Sequence, residues 1–310
     1  MKHLYFYLLA ILNFKIKGTC VDIARALGKV SHDSLTRFLK KKFARQKLLE
    51  FFRGPVPLSG GYLVIDSFEV LHPHAKKLEG LSWVYSPTYS KVIFGYQLVL
   101  MIWTDGVRRI PLALELYRPG HLTKIEIALK FLSYARNTLK LRPDYVLFDS
   151  WFAATKLLKR IKDYGWYFVT KLRKNRCFNG QQLQNYRTPS SFWSERGTLR
   201  RGIRIFVVKH HNTYYATNRL SLTWKEVLSL YRKRQQIEET IRQLKQECCI
   251  KDCQVQSLTA QINHFFLSLF AFCILEKERL KRNISLYLLR KLLILRRISI
   301  SIPRFFPTFA

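Results

Sequence analysis

Tyr231, Arg234, Glu238 and Lys245 stand at intervals of three, four and seven residues in a segment whose apolar spacing predicts one helix from Trp224 to about Glu247. At about 100° per residue the four fall within roughly 60° of one another and form a single stripe. Leu230, Ile237, Ile241 and Leu244 make an apolar stripe beside it, and Lys225, Arg232, Gln236, Glu239 and Gln243 fill the solvated side. Such a helix buries one face and carries a carboxylate, two cations and a phenol along the edge of it, over a cleft. A carboxylate there can ligate a hard cation. Arg and Lys hold phosphate oxygens, Arg by a forked contact and Lys as a point charge. The bland alternative is an amphipathic helix with ordinary exposed charges.

Two more acids close apolar runs. Tyr62, Leu63, Val64 and Ile65 lead straight into Asp66, and Tyr145, Val146, Leu147 and Phe148 lead straight into Asp149. Short continuous apolar runs predict strands buried on both faces, here with an Asp at each strand end. A lone buried carboxylate is costly unless it is paired or holds a metal. Turns also favour Asp after a strand, so one such residue says little. Two in this setting, followed by the helix, say more.

The arrangement Tyr-x2-Arg-x3-Glu-x6-Lys, complete at Tyr231, Arg234, Glu238 and Lys245, resembles the signature of a large group of bacterial insertion-sequence transposases with a DDE active site. The resemblance covers roughly Gly61 to Glu276. It implies that Asp66, Asp149 and Glu238 form the catalytic triad and ligate the metal. Three acids in one cleft raise each other's pKa unless cations neutralise them, and Mg²⁺ suits a site completed by waters and phosphate. Two ions, with Mn²⁺ as a substitute, can activate a water or a 3′-hydroxyl and stabilise the leaving oxygen of an in-line displacement. No covalent protein–DNA intermediate is then needed. Tyr231 as a recombinase nucleophile is disfavoured, since such enzymes need Arg and His companions rather than three acids. Tyr231, Arg234 and Lys245 are assigned to DNA. The activity implied is cut-and-paste transposition: cleavage of double-stranded DNA at terminal inverted repeats and strand transfer to a target, by a homodimer on DNA. The alternatives are a nuclease of the same fold without strand transfer, and a catalytically silent DNA-binding relic.

The elements that must position these residues read as an α/β, ribonuclease-H-like core over residues 62–276, with a mixed five-stranded sheet. After the first strand come two long β-rich segments, Lys91 to Thr104 and Val107 to Tyr117, joined at the hairpin signal Asp105-Gly106. Lys124 to Leu139 is helical by periodicity and leads to the Asp149 strand. A helix from Ala153 to Asp163 and a fifth strand from Trp166 to Lys171 follow. Residues 172–222 read as a small, mostly β insertion with turns at Asn179-Gly180, Arg196-Gly197 and Arg201-Gly202. The resemblance places Trp193 where an aromatic can stack on a base displaced from the DNA end. The other reading is a core aromatic of a small sheet.

Residues 1–53 read as a separate helical unit. Cys20 to Leu27 is a helix, Gly28 to Val30 a turn, and Ser31 or Asp33 an N-cap for a helix through Lys41. This fits a helix-turn-helix, with Ser31, His32, Ser34, Thr36 and Arg37 facing DNA, and equally a small helical bundle. Residues 54–61 are a Gly/Pro linker, and residues 277–310 form a basic tail that docks on DNA or a partner, or covers the core. Fifty-four Lys and Arg against 20 Asp and Glu give a net charge of +34, spread along the chain. A field of that size favours polyanions. No run of about 18 apolar residues predicts a membrane span, and Phe265 to Leu275 suits a buried helix. The expected location is the cytoplasm of a bacterium or archaeon, at the nucleoid. Cys248, Cys249 and Cys253 cluster, yet no partner pair with zinc spacing is visible. His72 and His74, flanking Pro73, read as part of a turn near the cleft.

Overall fold

The computed structural model describes residues 2–13, 19–75, 77–86, 89–186 and 191–303. Four helices open the chain: α1 (Lys2–Asn13), α2 (Cys20–Leu27), α3 (His32–Lys40) and α4 (Arg45–Arg53). Strands β1 (Tyr62–Leu71), β2 (Ser82–Ser86), β3 (Lys91–Thr104) and β4 (Arg109–Tyr117) follow. Then α5 (Lys124–Ser133), β5 (Tyr145–Phe148), α6 (Thr155–Asp163) and β6 (Tyr167–Leu172) alternate. The next segment holds β7 (Cys177–Phe178), β8 (Gln181–Gln182), β9 (Phe192–Leu199), β10 (Ile203–His210) and β11 (Thr213–Thr217). Four more helices complete the described chain: α7 (Trp224–Arg232), α8 (Gln235–Glu247), α9 (Leu258–Arg282) and α10 (Leu286–Ile294).

The described strands form one mixed sheet in the order β2-β3-β1-β5-β6-β11-β10-β9-β7-β8, with β4 also paired to β3. The segment after β6 therefore extends the main sheet through β11, antiparallel to β6, instead of forming a small sheet of its own. β2 is an added strand on β3 that the sequence reading missed. Residues 187–190 of that segment and 304–310 of the basic tail lie outside the described residues.

Strand alternation splits the apolar residues between two faces. On β1, Leu63 and Ile65 join α5 and α6 on one side, while Val64, Phe68 and Val70 join α8 and α9 on the other. The second cluster also takes in Leu4, Tyr7 and Leu8 of α1, Leu35 and Leu39 of α3 and Leu49 and Phe52 of α4. Polar groups fix that docking. His264 of α9 bonds Tyr7 Oη at 2.9 Å and the Cys249 carbonyl at 2.8 Å, and Asn263 Nδ2 donates to the carbonyls of Leu39 and Lys41 at 2.7 Å. α9 is 25 residues long and apolar enough by composition to cross a bilayer, which the count of continuous apolar residues missed; 83% of its most apolar window is buried inside the protein. It is the core helix expected around Phe265 to Leu275. At its far end Glu276 receives Arg109 Nη2 at 2.6 Å, with both side chains buried.

Local signals set several boundaries. Thr123 and Glu126 form a capping box at the start of α5, and Thr223 and Glu226 form another at α7. Ser31, rather than Asp33, caps α3, and Gly28 ends α2 in the left-handed region at φ +61. In the β3–β4 hairpin, Asp105 Oδ1 accepts from Val107 N and Arg108 N, which holds both residues in the turn and delays β4 to Arg109.

Candidate active site

Asp66 and Asp149 reach the same place by register. β1 and β5 pair in parallel, Tyr62 with Tyr145 and Val64 with Leu147, and the same offset carried two residues further sets Asp66 level with Asp149. Parity puts both on the side of Val64 and Leu147, facing α8 and α9. Asp66 is not at a strand end, as its apolar run suggested. β3 stays paired with β1 as far as Leu71 and Gly95, so β1 continues five residues beyond the acid. Only the parallel neighbour stops, and its stopping opens the sheet at Asp66. Asp149 does end its strand. There its Oδ1 accepts from the amides of Trp151, at 3.0 Å, and Phe152, at 3.4 Å.

The helix expected from Trp224 to Glu247 is two helices. Between them the backbone bonds run i to i+3, from Arg234 N to Tyr231 O and from Ile237 N to Arg234 O. Each such bond tightens the winding, so the 100° stripe does not run unbroken. The four residues still meet. Arg234, whose side chain is 13% exposed, donates from Nη1 to Asp66 Oδ2 at 2.6 Å and from Nη2 to Glu238 Oε1 at 2.6 Å. Its Nε donates to Tyr231 Oη at 3.0 Å. Tyr231 is buried, edge-on to Tyr215, with the Lys171 ammonium 5.2 Å from its ring. Lys245 lies apart from this bridge, 3.4 Å from Glu69 Oε1 and over the Phe68 ring.

Burial pushes the Asp66 carboxyl up to about 6; Arg234 opposes this, and Asp149 and Glu238 add to it. Burial likewise raises the Tyr231 phenol to about 12, against Arg234. Burial lowers the Lys124 ammonium, while Asp149, Asp66 and Glu69 counter it. The two Asp side chains and Lys124 thus share one electrostatic neighbourhood, with Lys124 Nζ 3.4 Å from Ser67 Oγ beside Asp66.

Among the described residues no three His, Cys, Asp or Glu side chains form a ready metal-holding group. Arg234 holds Glu238 by a salt bridge, and Glu238 is 53% exposed. The donors nonetheless suit a hard divalent cation. Two aspartates in register, both all-oxygen donors, are what Mg²⁺ takes when phosphate and water complete its shell. Cys248 and Cys253 are buried thiols raised by burial, Cys253 to about 12.

Trp193 is half-buried on β9, with its ring centroid 5.0 Å from Tyr186 and 6.1 Å from Phe178. His72 packs on Tyr96. Of the residues proposed to face DNA near α3, Ser31, His32 and Arg37 are exposed, and Ser34 and Thr36 are half-buried. Sequence reasoning missed Lys124, Glu69, Lys171 and Trp151. The capping box before Lys124 could have pointed to it, because it fixes where α5 begins. The others carry no local signal and come together only through the sheet.

Comparison with known proteins falls on the same segment. The family described as "Transposase DDE domain" matches residues 59–274. No curated protein matches the chain. Among solved structures it is similar to a cryo-EM structure of a piggyBac transposase synaptic complex with hairpin DNA, with a TM-score of 0.60 and 14% identity. That match covers 95% of this chain and 70% of the other, and at this identity it is a likeness of fold. The Mos1 strand transfer complex overlaps 52% of this chain and 56% of its own, at 18% identity and a TM-score of 0.22, too low to carry an argument.

Proposed function

Because the chain belongs to the transposase DDE-domain family, we propose that its site works through Asp66, Asp149 and Glu238 on the DNA ends of the element that encodes it. The protein is a DNA transposase, an enzyme that cleaves DNA and transfers the cut strand. One observation supports the site assignment above the rest. Arg234 ties Glu238 of α8 to Asp66 of β1, at the level where Asp66 and Asp149 lie in register. Three distant parts of the chain converge there on the residue types this chemistry requires. The complete Tyr231, Arg234, Glu238 and Lys245 spacing supports placing the chain in the group that carries that signature. The strand order β4-β3-β1-β5-β6 supports a ribonuclease-H-like core over residues 62–276.

In this reading Asp66 and Asp149 hold Mg²⁺, and Glu238 completes the set once Arg234 turns from it to a phosphate. Two bound ions supply charge neutralisation for an in-line displacement at phosphorus, with a water or a 3′-hydroxyl as nucleophile. Mn²⁺ substitutes for Mg²⁺. The chain's own residues do the positioning. Arg234 forks onto phosphate oxygens, Tyr231 Oη fixes the plane of the guanidinium, and Lys245 contributes a point charge further along α8. Trp193 contributes to the DNA surface if it turns out of its aromatic cluster. Residues 1–53 read DNA through α3, residues 54–61 link that region to the catalytic domain, and of the basic tail, residues 277–310, the part described as far as residue 303 closes the core. The substrates are terminal inverted repeats and a double-stranded target, held by a homodimer in the cytoplasm, at the nucleoid.

The test is cleavage of labelled DNA carrying the repeats that flank the coding region, in Mg²⁺ and in EDTA, by the parent and by Asp149→Ala. Metal-dependent nicking at the repeat boundary, lost in the variant, is the expected result. Binding without cleavage by the parent, under any divalent ion, refutes the assignment.

A further inference from the structure

Strand β2 leaves an apolar, uncharged edge of the sheet open. It pairs with β3 alone among the described strands, at one end of the strand order. Its partner residues Lys91 to Phe94 lie beyond the last β1 pair, Leu71 with Gly95, so the two strands project from the sheet as a ribbon. Alternation puts Val84 and Ile93 on one face, both buried, and Trp83, Tyr85, Val92 and Phe94 on the other. That second face is uncovered: Trp83 is 66%, Tyr85 59% and Val92 53% exposed, and Tyr89, just before β3, is 61% exposed. Soluble proteins guard a free edge with charges, proline or a bulge. Here β2 reads Ser-Trp-Val-Tyr-Ser, and Lys91, paired with Ser86, is the single charge among the paired residues of the ribbon.

We propose that β2 pairs antiparallel with β2 of a second copy of this chain, joining the two sheets across a two-fold axis. The proposal names the contact of the homodimer and rests on that reading. Centred on Val84, the pairing is self-complementary: Trp83 of each copy stands opposite Tyr85 of the other, and Ser82 opposite Ser86, with both aromatic pairs on the uncovered face. Backbone groups that β3 leaves unbonded on β2 gain partners. Charge selects this occupant. Two chains of +34 repel, so they meet best where neither carries charge, and the ribbon is such a place. DNA calls for the opposite, a surface dense in Lys and Arg. The area sets the strength. At ~150–250 Å² per aromatic side chain, Trp83, Tyr85 and Tyr89 leave roughly 300–450 Å² uncovered in each copy. Two copies then bury roughly 600–900 Å², under the ~1,200–2,000 Å² of a stable complex. The contact is therefore micromolar or weaker by itself, and closes firmly when DNA holds both copies together.

The test is sedimentation velocity of the full chain over about 1–100 µM, without DNA and in EDTA, at low and at high salt. The parent's mass rises from 36.8 kDa towards twice that value with concentration. It rises further at high salt, because screening removes the repulsion and leaves the apolar contact, whereas DNA binding weakens with salt. Trp83→Lys/Tyr85→Lys sets like charges directly across the axis and weakens association at least ~10-fold. Trp83→Glu/Tyr85→Glu does the same, and an equal mixture of the two variants dimerises again, since Lys then faces Glu at both positions. Tyr287→Lys, at a tyrosine of α10 that is 69% exposed, associates as the parent does. A parent that stays monomeric to the top of that range overturns the proposal. So do association that survives both double variants, an equal loss in Tyr287→Lys, and a mixture that stays monomeric. Trp83→Ala that still dimerises but no longer binds a repeat-bearing duplex gives this face to DNA and overturns it too. Dimerisation through β2 by a chain that never cleaves DNA leaves the contact standing and removes the transposase chemistry; cleavage by a monomeric parent does the reverse.

Discussion

Arg234→Ala tests whether the bridge between Asp66 and Glu238 is what assembles the site. The guanidinium makes three side-chain bonds, to Asp66, Glu238 and Tyr231, at 2.6, 2.6 and 3.0 Å. The arms differ in strength. Asp66 is 14% exposed, and breaking a buried pair costs roughly 3–5 kcal/mol because one charge is left without its partner. The carboxyl is already pushed up to about 6, so it can take a proton instead of staying ionised, which holds the cost near or below the lower end. Glu238 is 53% exposed, and that arm adds under ~1 kcal/mol. The expected destabilisation is therefore about 3 kcal/mol, or a fall in Tm of roughly 6–12 °C at ~2–4 °C per kcal/mol. Urea and thermal melts in EDTA measure it. Adding Asp66→Asn to Arg234→Ala removes the orphaned charge and recovers part of the loss, with a coupling of about 1–2 kcal/mol in the double-mutant cycle. A single variant within ~0.5 kcal/mol of the parent, or a cycle with no coupling, refutes the bridge as the organising contact.

Three more outcomes follow from the same structure. His264 is buried and neutral, its imidazole held down to about 4 by burial against an ordinary 6.5, so its stabilising contribution is complete above 6.5 and is lost as pH falls toward 4. Between pH 7.5 and 5 the parent should lose about 2 kcal/mol more than His264→Gln in urea melts, and equal losses refute the buried-neutral assignment. Glu276→Gln leaves Arg109, 4% exposed, facing a neutral amide, and should lower stability by about 3–5 kcal/mol; a change under ~1 kcal/mol shows that the pair is dispensable. With a net charge of +34, DNA affinity should fall with a log–log salt slope of about −5 or steeper, the footprint of six or more phosphate contacts, and a flat response refutes electrostatic docking.

Much of this protein is written locally. The residues of the candidate site were legible because each carries a short-range signal: an apolar run before Asp66, another before Asp149, and fixed spacing from Tyr231 to Lys245. The alternation of strands and helices, the Asp105-Gly106 turn and the burial of Phe265 to Leu275 were legible for the same reason, since apolar period and turn chemistry act within a few residues. The tertiary structure decided what depends on pairing between distant segments. β1 continues past Asp66 because β3 supplies a partner that the β1 sequence does not mention. The β-rich segment after β6 joins the main sheet because β11 finds the open edge of β6. Tightened turns at Arg234 divide the signature helix while the guanidinium there reaches Asp66, 168 residues earlier. Trp151, Lys124 and Arg173 line one cleft for the same kind of reason. Side-chain type and spacing fix which groups can do chemistry; strand register and helix docking, set by burial across the whole chain, fix which of them meet.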